Sequence, residues 1–204
     1  MHRGMRCVVF DVGETLVDES RMWADLAEQA GVPAAIVSDV LAAVISRGEH
    51  HTRVWDVLGA DPPERRPVIE PRDLYPDALD CVAAVRSCGL SVGIAGNQPE
   101  GVDNLLRAAG LEADFIGSSA AWDVSKPDLA FFRRLVDEAG MPAPDILYVG
   151  DRLDNDVLPA RAVGMRTAHI RRGPWGFMHA KLPEVALADL RVDSLSELAA
   201  LLVL

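Results

Sequence analysis

Asp11 closes a short apolar run, Val8-Val9-Phe10, and a glycine-containing turn, Val12-Gly13-Glu14-Thr15, follows at once. A carboxylate at the carboxyl end of a buried strand stands where open α/β sheets place their chemistry. It can attack a phosphoryl group and form an acyl-phosphate, which divides one difficult step into two easier ones. Taken alone, an aspartate after a strand is more often a plain turn residue. Two residues on, where a second carboxylate could donate a proton, there is only Gly13.

A second apolar run, Tyr148-Val149, ends in Gly150-Asp151, and Asp154 and Asp156 follow. Carboxylates converging on one sheet edge suit a hard cation such as Mg²⁺, which takes oxygen ligands. Asp151 and Asp156 are read as metal ligands because Asp11 waits on another strand end. Asp154 is read as a helix-start residue. Lys126 is one of only two lysines in the chain, the other being Lys181. It lies in Ser125-Lys126-Pro127-Asp128 at a helix start, where a cation is mildly unfavourable. A phosphate or a cluster of aspartates would supply the compensation, and a solvated surface lysine is the equal alternative. Gly96 and Asn97 follow a third apolar run, and their turn could hold an anion at the next helix start or be an ordinary turn. His50 and His51 could reach the site as acid, base or substrate contact, although adjacent histidines at a polar helix start are more often idle. Trp55, Trp122 and Trp175 are read as packing.

The elements that must position these groups alternate. Short, partly β-branched runs at Cys7–Phe10, Ser91–Ala95, Phe115–Ile116, Ile146–Val149 and Thr167–Ile170 have the pattern of strands buried on both faces. Helices between them begin at Pro76, Pro99 and Pro127 and end at Gly89, Gly110 and Gly140, with a fourth from Asn155 to Gly164. The alternation predicts βαβ units and a parallel sheet covered on both faces. One region breaks it. Between Leu16 and Leu74 there is no convincing strand. Asp18 can cap a helix that ends at Gly31, Pro33 opens another that ends at Gly48, and a shorter one is expected from His51 to Leu58. Asp61–Pro67 is read as a linker. Gly173–Gly176 is read as a loop, and Asp193-Ser194 as the cap of a last helix ending near Leu202.

The chain has 204 residues and a formal net charge of -11. That balance disfavours nucleic acid and anionic membranes as partners, since both need a basic face. The longest basic runs are the pairs Arg65-Arg66, Arg133-Arg134 and Arg171-Arg172. Cys7, Cys81 and Cys88 have no C-x-x-C spacing and are expected to be small core hydrophobes in a reducing compartment. No charged-then-apolar leader and no membrane-length apolar run is visible, so the expected location is cytoplasmic.

The order of the pieces resembles the haloacid dehalogenase (HAD) superfamily of aspartate-nucleophile hydrolases. Phe10-Asp11-Val12-Gly13-Glu14-Thr15-Leu16 is similar to its first motif, usually D-x-D-x-T; Ile94-Ala95-Gly96-Asn97 to its second; Lys126-Pro127 to its third; and Gly150-Asp151 with Asp156 to its fourth, G-D-x(4)-D. The resemblance implies an α/β Rossmannoid three-layer fold with a parallel sheet. It also implies a small helical cap over residues 17–74, between core segments 1–16 and 75–204. By residue, it implies a nucleophile at Asp11 and a neutralising lysine at Lys126. Phosphate contacts fall at Gly96, Asn97 and Lys126. Mg²⁺ ligands are Asp11, Asp151, Asp156 and the Gly13 backbone carbonyl. The expected substrate is a small phosphorylated metabolite, and the expected assembly a monomer or homodimer.

Two residues depart from the pattern. Gly13 replaces the general acid/base aspartate, and Gly96 replaces a hydroxyl residue that contacts the phosphoryl group. Proton donation contributes roughly 10²–10⁴-fold, so slow turnover is expected. The alternative is a catalytically silent metal- or phosphate-binding protein. A haloacid dehalogenase ranks lower because the fourth-motif acids are intact. Phosphonate cleavage through a cap lysine is disfavoured because Leu16–Leu74 contains no lysine.

Overall fold

The computed structural model describes residues 4–64 and 68–203. Arg65, Arg66 and Pro67, the end of the expected linker and one of the basic pairs, lie outside them. Among the described residues six strands form one parallel sheet. They are β1 (Cys7–Phe10), β2 (Ser91–Gly96), β3 (Phe115–Ser118), β4 (Ile146–Gly150), β5 (Arg166–Ile170) and β6 (Leu190–Val192), in the spatial order β3-β2-β1-β4-β5-β6. The helices are α1 (Ser20–Gln29), α2 (Ala34–Ser46), α3 (Arg53–Leu58), α4 (Ala78–Ser87), α5 (Val102–Ala108), α6 (Ser119–Trp122), α7 (Leu129–Ala139), α8 (Leu158–Ala162), α9 (Gly173–His179) and α10 (Leu195–Val203).

Alternation along β1 explains the three layers. Val8 and Phe10 face a core shared with α4, α5 and α10. Cys7 and Val9 face the other core, built on Phe131, Phe132 and Leu135 of α7 and Ala160 of α8. With apolar residues on both faces, β1 reads as a continuous apolar run. The chain leaves β1 towards β2 on one side and later returns to β4 on the other. β1 is therefore the switch point where a crevice opens at the strands' carboxyl ends.

The helical stretch after β1 forms as α1–α3. It has its own apolar cluster, with Leu26, Val37, Val44 and Trp55 at its centre, and this cluster also takes in Trp175 of α9. α1–α3 are thus a helical cap packed against Trp175 and Met178 of α9 on the sheet side. No single helix among the described residues is long and apolar enough to cross a membrane.

Several sequence expectations need correction. Gly173–Gly176 opens α9 rather than forming a loop: Pro174 sits in the first turn, where its missing N–H costs nothing. The helix expected from Asn155 is broken into a π turn at Leu153–Val157 followed by α8. α4, α5 and α7 begin two or three residues after their prolines; at α7 the Asp128 side chain caps the start by accepting from the Ala130 N–H at 2.8 Å. Cys88 is exposed, at the α4 C-terminus, while Cys7 and Cys81 are buried.

Candidate active site

The strand register brings the predicted acids together. Phe10 pairs with Ile94 of β2 and Val149 of β4, so Asp11 emerges between the end of β2 and Gly150-Asp151 at the end of β4. Asp11, Asp151 and Asp156 each offer an oxygen, and these oxygens lie within 4.8 Å of one another, all on buried residues. Lys126 reaches in from the loop before α7. Its Nζ stands 2.7 Å from Asp11 Oδ1 and 2.6 Å from Asp156 Oδ1, and its side chain is 1% exposed. The surface alternative for Lys126 is therefore excluded. Tyr148 lies under the ammonium, with its ring centroid 5.5 Å away and its hydroxyl donating to the Ala95 carbonyl at 2.8 Å.

Two glycines allow this close convergence. A Cβ on Gly150 would collide with the Asp156 carboxylate. That carboxylate also accepts from the Arg152 N–H at 3.0 Å. A Cβ on Gly96 would lie 2.5 Å from Asp11 Oδ1. Gly96 is thus the space into which the Asp11 carboxylate leans. The Asn97 side-chain amide donates to the Lys126 carbonyl at 2.9 Å, and its oxygen accepts from the Lys126 N–H at 2.8 Å. Asn97 therefore fastens the lysine loop to the end of β2. Asp154 lies outside the cluster, exposed and paired with Arg152 at 2.7 Å.

The electrostatics follow from burial. Desolvation pushes the Asp11 carboxyl up to about 6, against the opposing pull of the Lys126 ammonium. Burial works against the charge of Lys126, but Asp11 and Asp156 outweigh it and hold its proton firmly. Asp151 is raised well above the usual carboxylate range by burial and then by the charges of Asp156 and Asp11. Its Oδ2 is buried and has no hydrogen-bond partner. An unmet buried carboxylate oxygen costs roughly 1–3 kcal/mol or more. An oxygen-seeking cation held with Asp11 and Asp156 would satisfy that oxygen and offset the shared negative charge. The donor set is all carboxylate and buried, so it fits a hard divalent ion.

A cavity of about 530 Å³ opens over the cluster and runs up to the cap. Its floor includes Asp11, Lys126 and Asp151, and its walls include Trp23, Trp55, Trp175 and both His50 and His51. Trp55 and Trp175 are buried packing residues and cavity walls at once. Trp122 only packs, against Phe131 with ring centroids 5.1 Å apart. The His51 ring meets Trp23 and Trp175 edge-on, at centroid distances of 6.1 and 5.9 Å. A second cavity of about 510 Å³ flanks α1 but reaches neither Asp11 nor Lys126.

Glu14 and Glu19 also line the site cavity, and nothing in the sequence marks Glu19 as part of it. Glu14 is buried with a left-handed backbone, φ 54°. Its Oε2 accepts from the Tyr75 hydroxyl at 2.5 Å. Burial pushes its carboxyl up from 4.5 to about 7, the Tyr75 bond works against that, and the charges of Glu19 and Asp18 add to it. Because the folded value is raised, the proton stabilises the fold at low pH. As pH climbs from about 4.5 the unfolded chain ionises first, and stability is lost until about 7 and is flat above. Glu14→Gln keeps an acceptor for Tyr75 and removes the buried charge. In EDTA it is expected to be about 2–3 kcal/mol more stable than the parent at pH 8 and equal to it at pH 4.5. Urea unfolding at the two pH values checks this; equal stability at pH 8 would contradict the raised value.

Fold and site together define an α/β chain with a buried carboxylate cluster at the carboxyl edge of its parallel sheet. Residues 5–164 match the haloacid dehalogenase-like hydrolases, and the chain belongs to that family. It is 27% identical over 224 residues to a glyceraldehyde 3-phosphate phosphatase of Methanopyrus kandleri, covering 95% of each chain. It spans about half the length of other curated relatives. Among solved structures, a magnesium-bound HAD-hydrolase of Bacillus subtilis, YfnB, superposes with a TM-score of 0.72 at 18% identity, covering 98% of this chain and 99% of that one. An L-2-haloacid dehalogenase of Xanthobacter autotrophicus does so at 0.67 and 23%, covering 97% and 98%. At these identities the structural likeness speaks for the fold alone.

Proposed function

We propose that the protein is a Mg²⁺-dependent phosphatase of a small phosphorylated metabolite, with Asp11 as nucleophile. The observation that carries this reading is the buried Asp11 carboxylate, paired with Lys126 beside an Asp151 oxygen that has no partner. The similarity over nearly the whole chain to a phosphatase of a three-carbon phosphate supports the substrate class.

In this reading an Asp11 oxygen forms a bond to phosphorus as the bond to the leaving oxygen breaks, and that oxygen takes a proton. Water then attacks the aspartyl-phosphate, releases inorganic phosphate and returns Asp11. Lys126 holds Asp11 in position and opposes the charge of the phosphoryl oxygens. A Mg²⁺ held by Asp11, Asp151, Asp156 and the Gly13 carbonyl would add positive charge against the same oxygens. The cap, residues 17–74, screens the cavity from bulk water, and its aromatic wall faces the non-phosphate part of the substrate.

Gly13 and Gly96 favour a second reading, a silent metal- or phosphate-binding protein. Phosphate release from a panel of phosphorylated metabolites, in Mg²⁺ and in EDTA, separates the two. Turnover in Mg²⁺ that EDTA removes is expected. Metal binding without turnover across the panel supports the silent protein, and EDTA-resistant halide release from 2-haloacids supports a dehalogenase.

A further inference from the structure

Gly13 leaves a space where the family's general acid/base carboxylate would begin, and that space is filled. A Cβ built on Gly13 would lie 2.6 Å from Glu19 Oε1 and 2.8 Å from Glu19 Cδ. An aspartate's own carboxylate oxygens stand at a similar distance from its Cβ. Glu19 therefore presents its carboxylate at the start of the path that an aspartate side chain at residue 13 would take. It opens into the same cavity as Asp11, Lys126 and Asp151.

The backbone of Glu19 is well held. Its carbonyl accepts from the Trp23 N–H at 3.0 Å, in the first turn of α1. On the preceding residue, Asp18 Oδ1 accepts from the Ser20 N–H at 2.8 Å. The side chain thus reaches back from a fixed helix start to the end of β1.

Three other proton carriers at the cavity have partners of their own. Glu14 is bonded to Tyr75 and packs where a Cβ on Gly173 would fall. His50 is exposed, with Nδ1 2.9 Å from Thr52 Oγ1. His51 is wedged edge-on between two tryptophans.

We infer that Glu19, contributed by the cap, does the proton transfer that Gly13 cannot. The inference rests on the phosphatase reading. In the first step protonated Glu19 gives its proton to the leaving-group oxygen as the P–O bond breaks. In the second, the Glu19 carboxylate takes a proton from the water that attacks the aspartyl-phosphate, which restores it for the next cycle. A residue with a side chain at position 13 would displace Glu19, so Gly13 and Glu19 form a compensating pair.

Pre-steady-state turnover of 4-nitrophenyl phosphate in Mg²⁺ tests this. Its leaving group departs without a proton, so only the second step depends on Glu19. Glu19→Gln is expected to release a stoichiometric nitrophenolate burst at near the parent's rate, then to turn over about 100-fold more slowly. Glu19→Ala should behave alike. Adding Gly13→Asp to Glu19→Ala should recover about tenfold or more of the lost steady-state rate. An unchanged steady-state rate in Glu19→Gln, loss of the burst together with turnover, or a double variant no faster than Glu19→Ala each overturns the role of Glu19. If the parent protein itself shows no Asp11-dependent turnover, the phosphatase reading falls, and this inference with it.

Discussion

Asp11→Asn is expected to lower turnover of any phosphorylated substrate by at least about 10⁴-fold, the scale on which enzymes lose rate when their nucleophile is removed. The loss is chemical rather than structural. Asparagine has the same shape, so it can still occupy the space against Gly96 and accept from Lys126. Its amide oxygen cannot form a stable bond to phosphorus and then release it to water. The fold should survive, since Lys126 keeps Asp156 at 2.6 Å as an ionic partner. Mass spectrometry of acid-quenched reactions gives a second readout. The parent should carry one added phosphoryl group, and Asp11→Asn none. Parental turnover in the variant would remove Asp11 from the role of nucleophile. Turnover lost with the melting temperature intact would separate chemistry from folding.

The sequence reveals this site in outline because its acids sit at the ends of buried strands. A run such as Val8-Val9-Phe10 is apolar on both faces, so the first carboxylate after it marks the sheet edge. Asp11 and Asp151 are legible in that way, Asp156 through the G-D-x(4)-D pattern, and Lys126 by its rarity. What stayed hidden depends on which groups the folded chain brings beside each other. Glu19 reads as an ordinary residue ahead of a helix; only the turn that folds α1 back over β1 shows that it fills the Gly13 space. Asn97 reads as an anion-binding turn residue, while its amide is spent on the Lys126 backbone. β6 is a three-residue edge strand, too short for a period-two pattern to emerge. Gly173-Pro174 carries the composition of a loop, and the same two residues also suit a helix start.

The resting arrangement of Lys126 leads to the largest expected effect on stability. Its ammonium bridges Asp11 and Asp156 in a pocket where Asp151 adds a third acid. Lys126→Met preserves most of the side chain's volume and removes the charge. Two carboxylates are then left buried without their cation, a change that costs about 3–5 kcal/mol when one partner of a buried pair is lost. Part of that cost can be avoided by taking up a proton, because the Asp11 carboxyl, already raised by burial, then loses the ammonium that opposes the rise. The sign follows: folded values raised above unfolded ones give stability at low pH that is lost as pH rises. In EDTA the deficit should therefore be larger at pH 8 than at pH 5.5. A divalent cation is the other route to neutrality. At 100 times its dissociation constant, Mg²⁺ would return about 2.7 kcal/mol. It should stabilise Lys126→Met more than the parent, in which the ammonium already holds Asp11 and Asp156. Denaturant unfolding with and without Mg²⁺ at the two pH values measures all of these terms. A variant as stable as the parent in EDTA at pH 8 would mean that Lys126 does not neutralise the cluster. Its position beside Asp11 would then have to be explained by substrate binding alone.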